Sequence, residues 1–258
     1  MPSETSAVRT VNRISDILNC FTSKQPLLNL TTISNTLNLP KSTCHRLLTA
    51  LEAQGFLARD TAGRGYRLGY QLLYWGMVAQ TTLDLRNEAL PSLQALCETT
   101  GETAILSIRD GNVGICLAMV ESSQSVRLTM QVGRRIMLHA GASSKVLWAF
   151  LPEPEIRQIL AEIELSPVQV NTITDREQLL LELGRIRERG YAVSFEETDA
   201  GAMGIAAPVY DHAGQPIAGI GIAAPLSRFP AERVSVMAPA VVDAARALSA
   251  RLGARMNG

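Results

Sequence analysis

The strongest constraint on the fold of this chain is a tight break between two short helical segments at residues 37–40. Asn38 tolerates the left-handed backbone that closes a helix, and Pro40 suits the first turn of the helix that follows. Asn29 or Thr31 can cap the helix before the break. Because two helices joined by so short a turn form a helix-turn-helix, the pattern predicts that motif near the N-terminus.

A further amphipathic helix is predicted before the motif, over residues 9–21, because apolar side chains recur there every three or four positions. The residues expected on its buried side are Val11, Ile14, Leu18 and Phe21. Residues 27–30 are predicted to be a short apolar linker between this helix and the motif.

The helix predicted after the break, over residues 40–54, has one apolar face and one small polar face. The apolar face holds Cys44, Leu47, Leu48 and Leu51, and the opposite face holds Ser42, His45, Arg46, Thr49 and Ala53. Such a face is ordinarily solvated. Hydroxyl groups with Arg and His, and no carboxylate before Glu52, are nevertheless typical of a recognition helix in the DNA major groove. Arg46 is expected to pair with guanine, and the start of the helix to hold phosphates.

A basic β-hairpin is predicted directly after this helix, which Gly55 closes. Short strands over residues 56–59 and 65–68 flank a turn at 60–64, and a hairpin in this position is the wing of a winged helix. Arg64 at its tip is placed to reach a phosphate or the minor groove. The candidate DNA-binding residues are Lys41, Ser42, Thr43, His45, Arg46, Thr49, Arg64 and Arg67.

The charges of the chain are unevenly distributed, although 24 basic side chains balance 24 acidic ones. Residues 1–80 hold eight basic and four acidic side chains, whereas the remainder holds sixteen and twenty. A basic segment of this kind indicates a polyanionic partner, although an excess this small can also arise by chance. Together with the order of the elements, it predicts binding to a double-stranded DNA operator.

The remainder of the chain predicts an α+β domain, with antiparallel strands in succession and segregated helices. Strands are expected over residues 103–109, 113–120, 125–132, 191–196, 204–211 and 217–224. Helices are expected over residues 85–100, 143–151, 153–163, 175–189 and 231–252. Pro91 either kinks the first of these helices or marks its start. Residues 69–80 predict a helix that connects this domain stiffly to the basic segment.

Residues 39–48, Leu51, Gly55 and residues 66–69 together resemble the winged helix of the IclR family of bacterial transcriptional regulators. The similarity continues through residues 132–133, 138–140, Lys145, residues 189–191, Glu196, residues 205–209 and Pro225. It implies a winged helix-turn-helix over 1–68, a connecting helix over 69–84, and a GAF-like effector-binding domain over 85–258. It also implies a homo-oligomer, either a dimer or a tetramer that pairs through the C-terminal domains.

The resemblance places an effector pocket between the strands and the loop that leads into the Lys145 helix. The residues expected around the ligand are Met137, His139, Ala140, Gly141, Ser143, Glu196, Gly204, Gly221 and Ala223. Small residues inside strands can leave room for a ligand in place of a side chain, but a bulge or close helix packing explains them equally well.

Two departures from the family pattern bear on the ligand. Ser144 stands where the family usually has a glycine before the lysine. Members that bind small polar acids often carry Ser or Cys at the positions of Gly204, Gly221 and Ala223, which offer no side-chain donor in this sequence. A roomier, more apolar pocket is therefore expected, which favours an aromatic or partly hydrophobic acid as the effector.

Several other classes of protein are disfavoured by the sequence. The four cysteines lie far apart, so neither a zinc site nor a disulfide framework is indicated, and no cofactor is expected. No apolar run is long enough for a membrane span, and the N-terminus lacks the apolar stretch of a secretory signal, so a cytoplasmic protein is expected. An enzyme or a protein-interaction module with a GAF-like domain is the alternative to a regulator.

Overall fold

The computed structural model describes residues 4–22, 24–60, 63–82, 84–229 and 231–254. These residues form two compact units, which divide between residues 83 and 84. Among the described residues, no helix combines the length and the apolar character needed to cross a membrane.

The first unit is a winged helix followed by a further helix. Its elements are α1 (Glu4–Asn19), α2 (Leu30–Thr36), α3 (Lys41–Ala53), β1 (Leu57–Arg59), β2 (Tyr66–Leu68) and α4 (Tyr70–Thr82). The strands β1 and β2 pair antiparallel. Leu28, predicted within a linker, pairs with the other edge of β2, where its amide donates to the Tyr66 carbonyl at 3.0 Å. The wing is thereby fixed to the segment that precedes α2.

The predicted ends of α2 and α3 are confirmed, whereas α1 spans Glu4–Asn19 instead of the predicted residues 9–21. The Asn29 side chain caps α2 and accepts from the Thr32 amide at 2.8 Å. Asn38 has a φ of 50° and Gly55 a φ of 73°, so both adopt the left-handed backbone expected of them. A Cβ atom at Gly69 would lie 2.0 Å from the Gly55 carbonyl oxygen, and a glycine is therefore required where the wing returns past α3.

The buried face of α1 differs from the prediction. Val11 is 65% exposed, whereas Ile17 is fully buried in the core with Leu48 of α3. The prediction was wrong about Val11 because the core contacts only the C-terminal half of α1, so the apolar spacing at its start does not report burial.

The second unit is a six-stranded antiparallel sheet with helices on both faces. Its strands are β3 (Thr103–Asp110), β4 (Val113–Val120), β5 (Arg135–Met137), β6 (Ala192–Phe195), β7 (Ala202–Tyr210) and β8 (Pro216–Pro225), in the order β5-β4-β3-β8-β7-β6. Its helices are α5 (Leu85–Thr100), α6 (Ala142–Ala149), α7 (Glu153–Glu162), α8 (Arg176–Arg189) and α9 (Val234–Arg251).

Alternate residues of β7 face two separate cores. Ile205 packs with α5 and α9, whereas Ala206 packs with α6, α7 and α8. Because successive strand residues point to opposite faces, the two helical groups cover opposite sides of the sheet. The unit is thus an α+β domain, as the sequence predicts.

One predicted strand of this unit is absent, and the start of α5 is settled. Residues 125–132 form no strand, and β5 occupies the edge of β4 instead. Asp84 caps α5 by accepting from the amides of Arg86 and Asn87, so the helix begins at Leu85 and continues through Pro91. Gly101, with a φ of 72°, ends it.

Candidate DNA-binding surface and effector cavity

The polar face of α3 is exposed as predicted. Cys44, Leu48 and Leu51 are buried, whereas Ser42, His45, Arg46 and Thr49 are exposed and Thr43 is half-buried. Pro40 precedes the helix and gives no side-chain cap. The first-turn amides of α3 are therefore available to an anion such as a phosphate group, which the helix dipole also favours.

The charge of α3 is positive over the part of the helix that faces solvent. Its carboxylate, Glu52, forms an ion pair with Arg59 of β1 at 3.3 Å, which offsets the negative charge. Within the described part of the chain, neither Lys41 nor Arg46 forms an ion pair with a carboxylate. Both cations can thus contact DNA without first breaking an internal salt bridge.

The two wing arginines differ in their freedom. The side chain of Arg64 is 77% exposed, and its Nε lies 3.7 Å from an Asp60 carboxylate oxygen. The guanidinium of Arg67 lies over the Tyr70 ring, 5.2 Å from its centroid, and donates to the Leu68 carbonyl. The exposed ion pair of Arg64 with Asp60 is weak enough for a nearby phosphate to replace it, whereas Arg67 is held at the base of the wing. Residues 61–62 at the tip lie outside the described residues.

A cavity of about 110 Å³ lies in the second unit, between the sheet and the start of α6. Its walls come from β3, β7, β8, the first turn of α6, and residues 128–130. Apolar residues, including Ile105, Leu128 and Met130, line it together with the hydroxyl-bearing residues Ser143, Ser144, Ser194 and Thr198. The cavity therefore offers both an apolar surface and several hydrogen-bonding groups.

The first turn of α6, which lines this cavity, has two amides without a hydrogen-bond acceptor among the described residues. Gly141 precedes the helix with a φ of 81°, and its amide donates to Glu197 at 2.9 Å. The Ala142 amide donates to the Ser194 hydroxyl at 3.0 Å. The next two amides, of Ser143 and Ser144, have no hydrogen-bond acceptor among the described residues, and both residues line the cavity. Open amides at a helix N-terminus suit an anionic group.

A buried ion pair holds this turn in place. Lys145 Nζ lies 2.5 Å from one Glu197 carboxylate oxygen and 3.2 Å from the Val193 carbonyl oxygen. The other carboxylate oxygen accepts the Gly141 amide. The two side chains are 1% and 8% exposed. Because both charges are paired and hydrogen-bonded, the pair fixes the loop before α6 relative to β6.

At the rim of the cavity, Arg134 Nη2 lies 3.0 Å from each carboxylate oxygen of Asp199. Both residues line the cavity, and both side chains are at least one-third exposed. A partly exposed pair of this kind contributes little to the stability of the fold. It can therefore rearrange readily when a charged ligand enters.

Family models match both units of the chain. The IclR helix-turn-helix domain matches residues 10–61, and the C-terminal domain of bacterial IclR transcriptional regulators matches residues 77–250. The chain belongs to the IclR family. It is a DNA-binding transcriptional regulator with a C-terminal ligand-binding domain, and not an enzyme.

Individual IclR-family proteins resemble the chain over most of its length. The transcriptional regulator KipR of Bacillus subtilis is 37% identical over 245 residues, which cover 95% of this chain and 97% of KipR. The crystal structure of the Agrobacterium tumefaciens repressor BlcR gives a TM-score of 0.81 at 27% identity, covering 96% and 98% of the two chains. An IclR homologue from Microbacterium hydrocarbonoxydans, solved with 4-hydroxybenzoate, gives 0.60 at 26% identity, covering 94% and 98%.

The structure brings five of the nine effector residues expected from the IclR resemblance to the cavity. These are Ala140, Gly141, Ser143, Gly204 and Ala223. The other four are not among its lining residues. Met137 is 48% exposed, buried His139 contacts the Ser166 carbonyl at 2.9 Å, Glu196 accepts from the Gly201 amide at 2.8 Å, and Gly221 lies against the neighbouring strand.

Close packing accounts for two of the strand glycines. A Cβ atom at Gly221 would lie 2.1 Å from the Ile205 carbonyl oxygen, and one at Gly219 would lie 2.6 Å from Val146 of α6. Gly204 lines the cavity, and a Cβ atom there would lie 3.2 Å from the Ser194 hydroxyl. The missing side chains thus open the cavity at Gly204 but serve backbone and helix packing at the other two positions.

Sequence reasoning missed Glu197 as well as several hydroxyl-bearing residues, such as Ser194 and Thr198, that line the cavity. The signal for Glu197 is Lys145, which falls on an apolar helix and needs a carboxylate partner if it is buried. The hydroxyl-bearing residues make the cavity more polar than the sequence predicts, because they lie on elements other than the strands that carry Gly204 and Ala223.

Proposed function

We propose that this IclR-family protein senses a small organic acid and changes its affinity for an operator in response. Residues 1–68 bind the operator, residues 69–84 connect the domains, and residues 85–258 bind the effector. The observation that carries the proposal is the pair of open amides of Ser143 and Ser144 in a cavity of the ligand-binding domain. Such a regulator acts in the cytoplasm, where the chromosome is.

The open amides and the adjacent hydroxyl groups favour a carboxylate, and the apolar wall favours a short hydrocarbon body. The cavity of about 110 Å³ is smaller than the engineered cavity of roughly 150 Å³ that admits benzene. We therefore propose a partly hydrophobic aliphatic monocarboxylate as the effector. An aromatic acid is the second candidate, supported by the homologue solved with 4-hydroxybenzoate, and it requires the cavity to widen.

A thermal-shift series tests the effector. Butyrate, isovalerate and 4-hydroxybenzoate are compared at equal concentration, and a ligand at 100 times its dissociation constant stabilises the fold by about 2.7 kcal/mol. An aliphatic acid is expected to raise the melting temperature most. Ala223→Leu, which fills the cavity, should abolish the shift, whereas Ala213→Leu in an exposed turn should retain it. A shift that survives Ala223→Leu would place binding elsewhere.

Fluorescence anisotropy with DNA from the protein's own promoter tests the operator surface. Removing Lys41 should weaken binding to all sequences and reduce the slope of log affinity against log salt by about one, because one phosphate contact is lost. Removing Arg46 should cost about 1–3 kcal/mol and relax base preference at one position. Arg157→Ala, in the second unit, is the control. Equal salt slopes for Lys41→Ala and the control would show that Lys41 does not contact a phosphate.

We propose that the protein pairs through α4, because Tyr70, Leu73 and Tyr74 of that helix are each at least 60% exposed. An apolar surface of this kind is typical of an interface, and helix-turn-helix dimers bind half-sites about one helical turn apart. Leu73→Lys should shift the species in sedimentation velocity towards the monomer and weaken operator binding. An unchanged sedimentation profile would exclude this face, and a doubled dimer mass would identify the tetramer.

A further inference from the structure

Residues 123–132, here called the cover segment, lie over the effector cavity without belonging to the sheet. Three of its residues, Leu128, Thr129 and Met130, line the cavity. Its apolar and polar residues alternate, and Leu128 and Met130 are half-buried while their neighbours Arg127, Thr129 and Gln131 are exposed. One side of the segment therefore forms part of the cavity wall, and the other side faces solvent.

The backbone of the cover segment is weakly held. Among the described residues, no amide from 125 to 132 donates a hydrogen bond. A strand in the same place would donate its amides to a neighbouring strand. Because this segment lacks those hydrogen bonds, it can open locally at a lower cost in free energy than a strand.

Both ends of the segment are fixed, by contrast. Before it, the buried Ser122 donates its hydroxyl to the Gly101 carbonyl at 2.5 Å. After it, the Gly133 amide donates to the Cys116 carbonyl at 2.8 Å, and Gly133 has a φ of 87°. The middle can thus move while the ends stay attached to the sheet.

Two side chains hold the middle of the segment over the cavity. The hydroxyl of Thr103, a fully buried residue of β3, donates to the Leu128 carbonyl at 2.7 Å. Arg228 Nη1 donates to the Val126 carbonyl at 2.7 Å. The remaining face of the Arg228 guanidinium binds both carboxylate oxygens of the buried Glu102, at 2.8 and 2.7 Å. This bidentate pair fixes the orientation of the Arg228 guanidinium, so that Nη1 points at the Val126 carbonyl.

We infer that the cover segment is the entrance to the effector cavity, and that Thr103 and the Glu102–Arg228 pair are the positioning residues that keep it closed. Opening breaks the two hydrogen bonds to Val126 and Leu128 and leaves the sheet intact. A ligand that contacts Leu128, Thr129 or Met130 from inside the cavity stabilises the closed state. The role of the segment as an effector entrance rests on the proposed function, but its opening can be measured without an effector.

The test measures how fast N-ethylmaleimide reaches a thiol placed in the cavity by Ala223→Cys. Burial raises the pKa of all four native cysteines, so their background reaction is slow. In this background, Thr103→Val removes, at nearly constant volume, the hydroxyl that donates to Leu128 and also accepts the Ser122 amide at 3.2 Å. The Ser122 hydroxyl still holds the end of the segment through Gly101, and the modification rate should rise about five-fold. Thr103→Ser keeps the hydroxyl and should leave the rate near that of the parent.

A second variant tests the other attachment. Arg228→Lys keeps a positive charge near Glu102 but lacks the planar fork that binds Glu102 and Val126 together. It should raise the modification rate at position 223 and the rate of tryptic cleavage after Arg127, which lies in the segment. Urea denaturation of each variant separates local opening from loss of global stability.

The outcomes are distinct. Faster modification in Thr103→Val and Arg228→Lys, with an unchanged Thr103→Ser and an unchanged urea midpoint, supports the entrance. Equal rates in all four proteins, or rates that follow the urea midpoint, overturn it. The thiol assay contains no effector, so the two proposals can fail separately. If no ligand raises the melting temperature, the proposed effector is rejected, and the opening of the segment still stands. A ligand shift with equal thiol rates would do the reverse.

Discussion

Replacing Glu197 by Gln tests the buried ion pair that fixes the start of α6. The change keeps the size of the side chain and keeps an acceptor for the Gly141 amide, so the lost feature is the charge. Lys145, 1% exposed, is then left without its carboxylate partner. Removing one partner of a buried ion pair costs about 3–5 kcal/mol, because the other charge stays buried and uncompensated.

The double variant Lys145→Met with Glu197→Gln separates the charge effect from the effect of packing. With both charges removed and the Gly141 amide still accepted, the loss should fall to less than half that of Glu197→Gln alone. The double-mutant cycle should thus give a coupling of roughly 2 kcal/mol or more.

Urea denaturation followed by tryptophan fluorescence can report the second unit alone. The chain has two tryptophans, Trp75 in α4 and the fully buried Trp148 in α6. In a Trp75→Phe background, the signal comes from Trp148, three residues after Lys145 in α6. A loss below about 1 kcal/mol for Glu197→Gln, or a double variant as unstable as the sum of the single ones, would refute the reasoning.

Four further outcomes are expected. Gly69→Ala should destabilise the first unit by about 1–3 kcal/mol, because its Cβ atom meets the Gly55 carbonyl oxygen; Gly76→Ala, with open space around it, should stabilise α4 by about 0.5–1 kcal/mol. Both are measured by urea denaturation that follows Trp75 of α4 in a Trp148→Phe background. Arg46→Lys should keep the salt slope but lose about 1–3 kcal/mol of base discrimination in anisotropy titrations. Burial raises the pKa of Cys116 despite the opposing Arg134 charge, so at pH 8 it should react with iodoacetamide far more slowly than a cysteine peptide.

The winged helix was predictable because its signals are local. Asn38 and Gly55 each report a backbone conformation that few residues adopt, and both have the expected φ. The two faces of α3 follow from helical spacing alone. The exposed Val11 shows the limit, because a spacing pattern cannot tell where along a helix the core ends.

The segment over residues 125–132 shows a different limit. Its alternation predicts the inward-facing side chains only in part, since Leu128 and Met130 are half-buried whereas Val126 and Val132 are 66% and 51% exposed. Pairing depends on a neighbour elsewhere in the chain, and β5 takes the free edge of β4. Alternation therefore predicts an extended, one-sided segment, but it cannot distinguish a strand from a cover.

The effector cavity was only partly predictable, because its walls come from elements far apart in the sequence. Glu196 has a φ of 50°, which breaks the alternation after β6, and the buried carboxylate belongs to Glu197 instead. Lys145 indicates that a partner exists, but only the fold identifies it. The close packing at Gly221 is likewise a contact between two backbones and leaves no pattern in the sequence.

The order of strands in the sheet has a consequence for synthesis on the ribosome. β3, the first strand of the second unit, pairs with β8, the last, so that Thr103 meets Ala223. Both strands also contribute to the cavity, through Ile105 and Ala223. The winged helix can fold as it emerges, but the ligand-binding unit must wait for nearly its whole length, because its central pairing joins its two ends. A nascent chain can therefore acquire its DNA-binding fold before it can sense any effector.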